Sequence, residues 1–427
     1  MQISNNPPKE QWPALVQRRL PDDSAVEARV ADILDKVRKE GDSALRSLAR
    51  EIEGFVPESF TVSEEEISEA CGRLPESLKA AIREAYARIS EFHGKQIPQE
   101  LRWEDGRGVV CSRRFVPLNC AGLYVPGGSA PLFSTVLMLA IPAGIAGCPK
   151  RILCTPPDRQ GRIADPILFA ADLCGIDTIY KIGGAQAIAA MAFGTDTVCR
   201  ADKIFGPGNR YVMKAKQLLN REGMAIDMPA GPSEVMVVAD GSAIPAFVAA
   251  DLLSQAEHGP DSQVMLICES EDFAKAVQEE TEIRKARLPR EDIAGKALQN
   301  SRIIILPERE KQIAFANLYA AEHLIISVRD ADSFASAVTA AGCIFLGNWS
   351  PESAGDYAAG TNHTLPTSGL ANSWSGLGVE SFMHAISMQR ISPEGLSALA
   401  PTIIQMAEAE GLRAHAEAVR VRLYGKD

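Results

Sequence analysis

Thr178-Ile179-Tyr180-Lys181-Ile182-Gly183-Gly184-Ala185-Gln186-Ala187-Ile188-Ala189-Ala190 is the stretch whose reading decides the fold. Thr178–Ile182 has the β-branched and aromatic content of a strand, Gly183-Gly184 makes a turn, and an Ala-rich run over 185–193 reads as a helix. The same unit recurs on both sides of it. Strands are expected at Arg151–Cys154, Lys203–Phe205, Val235–Ala239, Val264–Cys268, Ile303–Leu306 and Cys343–Leu346. Helices are expected near 131–146, 165–174, 209–220, 271–286, 308–321 and 331–340. Upstream, Val109–Val116 and Ala121–Val125 read as strands. Val26, Val30, Ile33, Leu34 and Val37 give 24–53 a helical apolar spacing, and 63–95 is similar.

Apolar strands alternating with amphipathic helices imply a largely parallel sheet covered on both faces. In such sheets ligands bind beyond the carboxyl ends of the strands. The turns Pro126-Gly127-Gly128, Gly183-Gly184 and Gly206-Pro207-Gly208 each precede a helix, where free amides can receive phosphate. Their plainer reading is ordinary strand-to-helix connection. Gly206-Pro207-Gly208-Asn209-Arg210-Tyr211 begins like the dinucleotide fingerprint but has Tyr in its last place.

The ends differ from the middle. Residues 1–20 are polar, carry Pro7, Pro8 and Pro13, and read as an extended arm. Residues 395–424 are helical, with a break at Gly411 and no strand to follow. A terminal helical unit without its own sheet is an arm suited to another subunit.

Composition narrows the partners. The 427 residues are 46% hydrophobic, enough for a substantial core, and the net charge of −11 speaks against nucleic acid and anionic membranes. No apolar run reaches the length of a membrane span, and the first residues do not form a secretory signal. Nine cysteines without a Cys-x-x-Cys pair suit a reducing cytoplasm rather than a disulfide scaffold.

The chain has six histidines. Gln255 and His258 stand three apart on a helix expected over 249–258, just before Gly259-Pro260, so both face one side at its last turn. Helix capping explains the pair as simply as metal ligation does. Glu322 and His323 put a carboxylate beside an imidazole, two groups able to move protons near neutral pH; a polar helix end is the alternative. Asp356 and His363 flank a turn after the helix start Ser350-Pro351-Glu352, with Ser350 as the expected cap. His415 reads as an exposed helix residue, and His93 and His384 have only a surface reading. Cys120 and Cys154 are weighed as covalent nucleophiles, but packing is the better account of a cysteine on an apolar strand.

Taken together, these segments closely resemble the histidinol dehydrogenase family. The resemblance rests on Gly122–Gly128, Gly183–Ala190, Phe205–Asn209, Asp227–Glu234, Asp251–His258, Glu322–Leu324 and Ser353–His363, in that order, and runs from about residue 20 to 420. It implies an α/β fold of two Rossmann-like, doubly wound domains lacking the usual G-x-G-x-x-G, with helical arm segments at both ends. The implied domains are an arm over 1–20, a first domain from 21–123 and 234–376, a second over 124–233, and a C-terminal arm over 377–427.

The implied activity is oxidation of L-histidinol to L-histidine through L-histidinaldehyde with two NAD reduced, at the end of histidine biosynthesis. By the same resemblance Gln255, His258, Asp356 and His415 would hold zinc, His415 coming from the other chain of a domain-swapped homodimer. Ser233, His323, His363 and Glu410 would contact the substrate beside those ligands. Tyr124, Gln186 and Asn209 would contact NAD, and Glu322 with His323 would be the acid–base pair.

Overall fold

The computed structural model describes residues 1–18, 24–127, 131–229 and 231–425. Gly128 of the first glycine turn, Ala230 of the Asp227–Glu234 motif, and residues 19 and 20 of the N-terminal segment lie outside the described residues. The chain divides into two units, one of residues 1–96 with 118–382, the other of 97–117 with 383–427.

The larger unit contains two parallel sheets. One has five strands in the order Thr178–Lys181, Lys150–Thr155, Cys120–Tyr124, Lys203–Phe205, Ala225–Ile226. The chain winds outward to one edge, returns to the centre and winds to the other. That is the doubly wound order, with its reversal between Cys120–Tyr124 and Lys203–Phe205. The second sheet repeats the plan, in the order Arg302–Ile305, Gln263–Cys268, Glu234–Ala239, His323–Ser327, Cys343–Leu346. Its reversal lies between Glu234–Ala239 and His323–Ser327. The central strands are buried along their whole length, which is why they read as continuous apolar runs.

The N-terminal residues are part of this second sheet. Gln2–Asn5 adds a sixth parallel strand beside Arg302–Ile305, and Trp12 packs edge-on against Phe315 with ring centroids 5.2 Å apart. The polar Gln2–Asn5 gains its order from the strand it joins, so its own sequence carries no apolar alternation. The helices of 24–48 pack on the five-stranded sheet, where Val26, Val30, Ile33, Leu34 and Val37 share a core with Tyr124, Ile152 and Ile188. The resemblance had implied a domain that groups this segment with the other sheet. His93, read from sequence as a surface residue, is fully buried at the end of the helix Glu76–Gly94.

The smaller unit is an antiparallel sheet in the order Met383–Ile391, Val109–Pro117, Leu101–Glu104, with the helices Pro393–Ala409 and Arg413–Tyr424. Ser392 caps the first helix, its hydroxyl accepting from Gly395 N at 3.1 Å. Gly411 turns the chain between the helices at φ +76°, a conformation that favours glycine. The C-terminal segment is therefore not wholly helical. The strand Met383–Ile391 was missed because most of its side chains are exposed and do not alternate. Among the described residues, no helix is long and apolar enough to cross a membrane.

Candidate active site

Glu234 and His323 begin the two strands at the reversal of the six-stranded sheet. The site therefore opens at the amino ends of these strands, not at the carboxyl ends where the general rule for such sheets would place it. The carboxyl ends of the five-stranded sheet supply the facing wall. One cavity of about 70 Å³ is lined by Gly206 and Pro207 from the latter and by Ser233, Glu322, His363 and Thr367 on the other side.

Backbone groups of Glu234 hold the central side chains. Its N–H donates to Glu322 Oε2 at 2.8 Å. Its carbonyl accepts from Gln255 Nε2 at 3.1 Å and faces His323 Nδ1 at 3.2 Å. Gln255 Nε2 also donates to Glu322 Oε2 at 3.3 Å. With its amide nitrogen engaged here, Gln255 has its oxygen to offer a cation. Gln255 lies one residue from the end of the helix Pro245–Ala256, and His258 lies two residues past that end. Sequence had put both on the last helical turn. A tight turn, His258 N to Gln255 O at 3.2 Å, keeps them together nevertheless.

The helix Glu352–Tyr357 brings in two more acids. Its cap position is Pro351, and Ser350 instead donates its hydroxyl to Leu346 O at 2.7 Å. Asp356 Oδ1 lies 3.6 Å from His323 Nε2, and Glu352 Oε1 lies 3.9 Å from His323 Nδ1. Sequence reading used Glu352 only as part of a helix start. It is fully buried here, and no motif marks a single buried acid. His363 Nδ1 donates to the backbone carbonyl of Asp356 at 3.0 Å, and its Nε2 faces Thr135 Oγ1 at 3.2 Å. Burial lowers the His363 pKa, against the pull of Asp356.

These charges set one another. Burial opposes charge on His323, but Glu322, Glu352 and Asp356 outweigh it and hold its pKa well above the usual value. Burial pushes Glu352 up to about 8, against the pull of His323. Burial likewise raises Asp356, yet His323, His363 and His258 overcome this and hold it below its usual range.

The chemistry fits a divalent cation. His323, Glu352 and Asp356 have ligand atoms within 4.8 Å of one another. Among the described residues, the buried His323 Nε2 and Glu352 Oε1 have no hydrogen-bond partner. Oxygen and imidazole donors around excess negative charge suit zinc, and a cation would supply the positive charge that otherwise falls to His323. Of the ligands expected from sequence, Asp356 belongs to this tightest group, while Gln255 and His258 adjoin it. Glu410 and His415 are exposed residues of the smaller unit, at the end of its first helix and within its second.

Tyr124, Gln186 and Asn209 stand where the five-stranded sheet feeds its helices. Tyr124 Oη accepts from Gly184 N at 3.1 Å, and Gln186 Nε2 donates to Glu53 at 3.3 Å. Asn209 Oδ1 caps the helix Arg210–Arg221, accepting from Tyr211 N at 3.0 Å and Val212 N at 3.2 Å. The amide of Gly184, expected to be free for phosphate, is thus already paired. The Gly206 turn is pinned by a buried ion pair between Lys216 and Asp227. Lys216 donates to Gly206 O at 2.9 Å, and Gly206 N donates to Asp227 Oδ2 at 2.8 Å. Cys120 and Cys154 are buried, and burial pushes both thiols up, Cys120 to about 11. Buried thiols held in the protonated form favour the packing reading.

The family profile described as histidinol dehydrogenase matches residues 16–423. A histidinol dehydrogenase of Bacteroides thetaiotaomicron is 49% identical over 423 residues, 99% of each chain. One from Aliivibrio fischeri is 50% identical over 400 residues, 93% of this chain and 90% of the other. The crystal structure of histidinol dehydrogenase from Elizabethkingia anophelis superposes with a TM-score of 0.97 at 48% identity, over 99% of this chain and 98% of that one.

Proposed function

The chain belongs to the histidinol dehydrogenase family, and on that premise we propose that it oxidises L-histidinol to L-histidine through L-histidinaldehyde, reducing two NAD in turn. The observation that carries this reading is the Glu322–His323 pair, locked to Glu234, with Glu322 opening on the same cavity as the Gly206 turn. Zinc on Gln255, His258, Asp356 and His415 would orient the substrate and stabilise charge, and NAD would accept the hydrides.

The chain's own residues do the rest. Ser233, His323, His363 and Glu410 contact the substrate alongside the metal ligands, and Tyr124, Gln186 and Asn209 contact NAD. His323 has Nδ1 turned to the Glu234 carbonyl, so Nε2 is the atom that takes the substrate's hydroxyl proton. Glu322 has one carboxylate oxygen tied to the Glu234 amide, and its other oxygen activates the water that attacks the aldehyde. Keeping the aldehyde in one cleft through both oxidations prevents its loss to solvent.

His415 and Glu410 are supplied by a second copy in this reading, as a domain-swapped homodimer. Exposed Met406, Val421 and Tyr424 on these helices and Leu412 in the turn between them support it, because apolar side chains of that size favour a partner. Nine free cysteines support a cytoplasmic setting. The test is NADH formation from L-histidinol with and without a chelator. We expect activity that chelation removes and zinc restores. Absence of NADH formation by the zinc-loaded protein would refute the assignment.

A further inference from the structure

Arg18 lies in the N-terminal segment, for which sequence suggested no role. We propose that Arg18 is a positioning residue for the Glu322–His323 pair, acting through the side chain of Glu234. This rests on the acid–base reading above.

The segment is firmly seated up to this point. Gln2–Asn5 is a strand of the sheet, and the Trp12 indole donates to Pro7 O at 3.0 Å. Arg18 then reaches inward. Its Nε donates to Glu234 Oε1 and its Nη2 to Glu234 Oε2, each at 2.9 Å, a bidentate fork that only a guanidinium makes. Nη2 also donates to Tyr319 O at 2.6 Å, and the guanidinium lies 3.7 Å from the centroid of the Tyr319 ring. Tyr319 is itself fixed, its hydroxyl donating to Gln263 Oε1 at 2.9 Å.

Glu234 is only 1% exposed, so water cannot replace Arg18 as its partner. Three of the four polar atoms of Glu234 lead to the site. The backbone N–H holds Glu322, and the carbonyl holds Gln255 and faces His323. Its Oε1 accepts from Ser368 N at 2.9 Å, beside Thr367 of the cavity wall. Thr367 in turn accepts from Gly231 N, another residue of that wall. An ordinary buried bridge would stabilise the fold and nothing more. This one fixes the residue from which both members of the acid–base pair hang. Without Arg18 the Glu234 carboxylate is a buried, uncompensated charge close to that of Glu322, and the strand start must shift or take up a proton to relieve it.

The experiment compares the parent full-length, zinc-loaded chain with Arg18→Met, Arg18→Lys and Glu234→Gln. Turnover of L-histidinol, KM for NAD, zinc content, thermal midpoint and amide exchange of residues 234–239 and 323–327 are measured. Arg18→Met is expected to lower kcat per bound zinc about tenfold or more, with KM for NAD unchanged and exchange in both strands faster. Arg18→Lys is expected to recover part of the loss, since it keeps the charge and loses the fork. A lower thermal midpoint with unaltered kcat and exchange would overturn the proposal, because that is what a merely structural bridge does. If Arg18→Met does not fold, Arg18→Lys and Glu234→Gln carry the test with the same pattern. If the parent itself does not turn over L-histidinol, the acid–base reading fails. Exchange then decides the linkage alone, upheld by acceleration in both strands and overturned by none.

Discussion

His323 Nε2 faces Asp356 Oδ1 across 3.6 Å without a hydrogen bond, although the nitrogen is buried. A group left in that condition marks where a further partner belongs. Asp356 is the shared point of the expected zinc ligands and the tightest cluster of donors. Asp356→Ala should weaken zinc about tenfold or more. Equilibrium dialysis against buffered zinc measures this, and parent-like affinity would remove Asp356 from the ligand set.

Glu322→Gln keeps an oxygen to accept from Glu234 N but loses the base. Oxidation of L-histidinaldehyde should slow about a hundredfold, while the first oxidation of L-histidinol changes much less. Single-turnover kinetics from each starting compound separate the two steps. Equal activity of variant and parent on the aldehyde would dismiss the role.

Gly206 has φ +121°, and a Cβ there would lie 2.0 Å from the backbone oxygen of Tyr124. The neighbour is strand backbone, with no side chain to swing aside. Gly206→Ala should cost about 3 kcal/mol or more, because strain and overlap act together. Urea unfolding checks this, with a change below about 1 kcal/mol counting against it.

The fold was legible in sequence where burial is two-sided, and Val235–Ala239 and Val264–Cys268 are recovered to within a residue. It was illegible where order is borrowed. Gln2–Asn5 is polar and exists by pairing with Arg302–Ile305. The candidate site was legible where residues travel in long motifs, as around Gln255, Glu322 and Asp356. Arg18 and Glu352 stand outside those motifs, and their importance comes from partners distant in sequence. Arg18 and Glu234 are 216 positions apart, and no local pattern announces such a contact. His93 was misread for a similar reason, since its Nε2 meets Asn362, 269 residues away.

His93 predicts an acid limb of stability. Burial lowers its pKa, with only the hydrogen bond to the Ile89 carbonyl opposing. The folded chain thus keeps it neutral where the unfolded chain, at about 6.5, takes a proton. Stability is unaffected above that value and falls as pH drops from it toward the lower folded value, by about 1 kcal/mol per unit. His93→Gln should flatten this part of the profile relative to the parent. Parallel curves for the two would show that His93 does not titrate as described.

The most direct test of the central claim is the amount of NADH formed per L-histidinol when the substrate is run to completion in excess NAD. One cleft using Glu322 and His323 for successive oxidations predicts two NADH, with L-histidine as the product. One NADH with released aldehyde, or none from zinc-loaded protein, would contradict it.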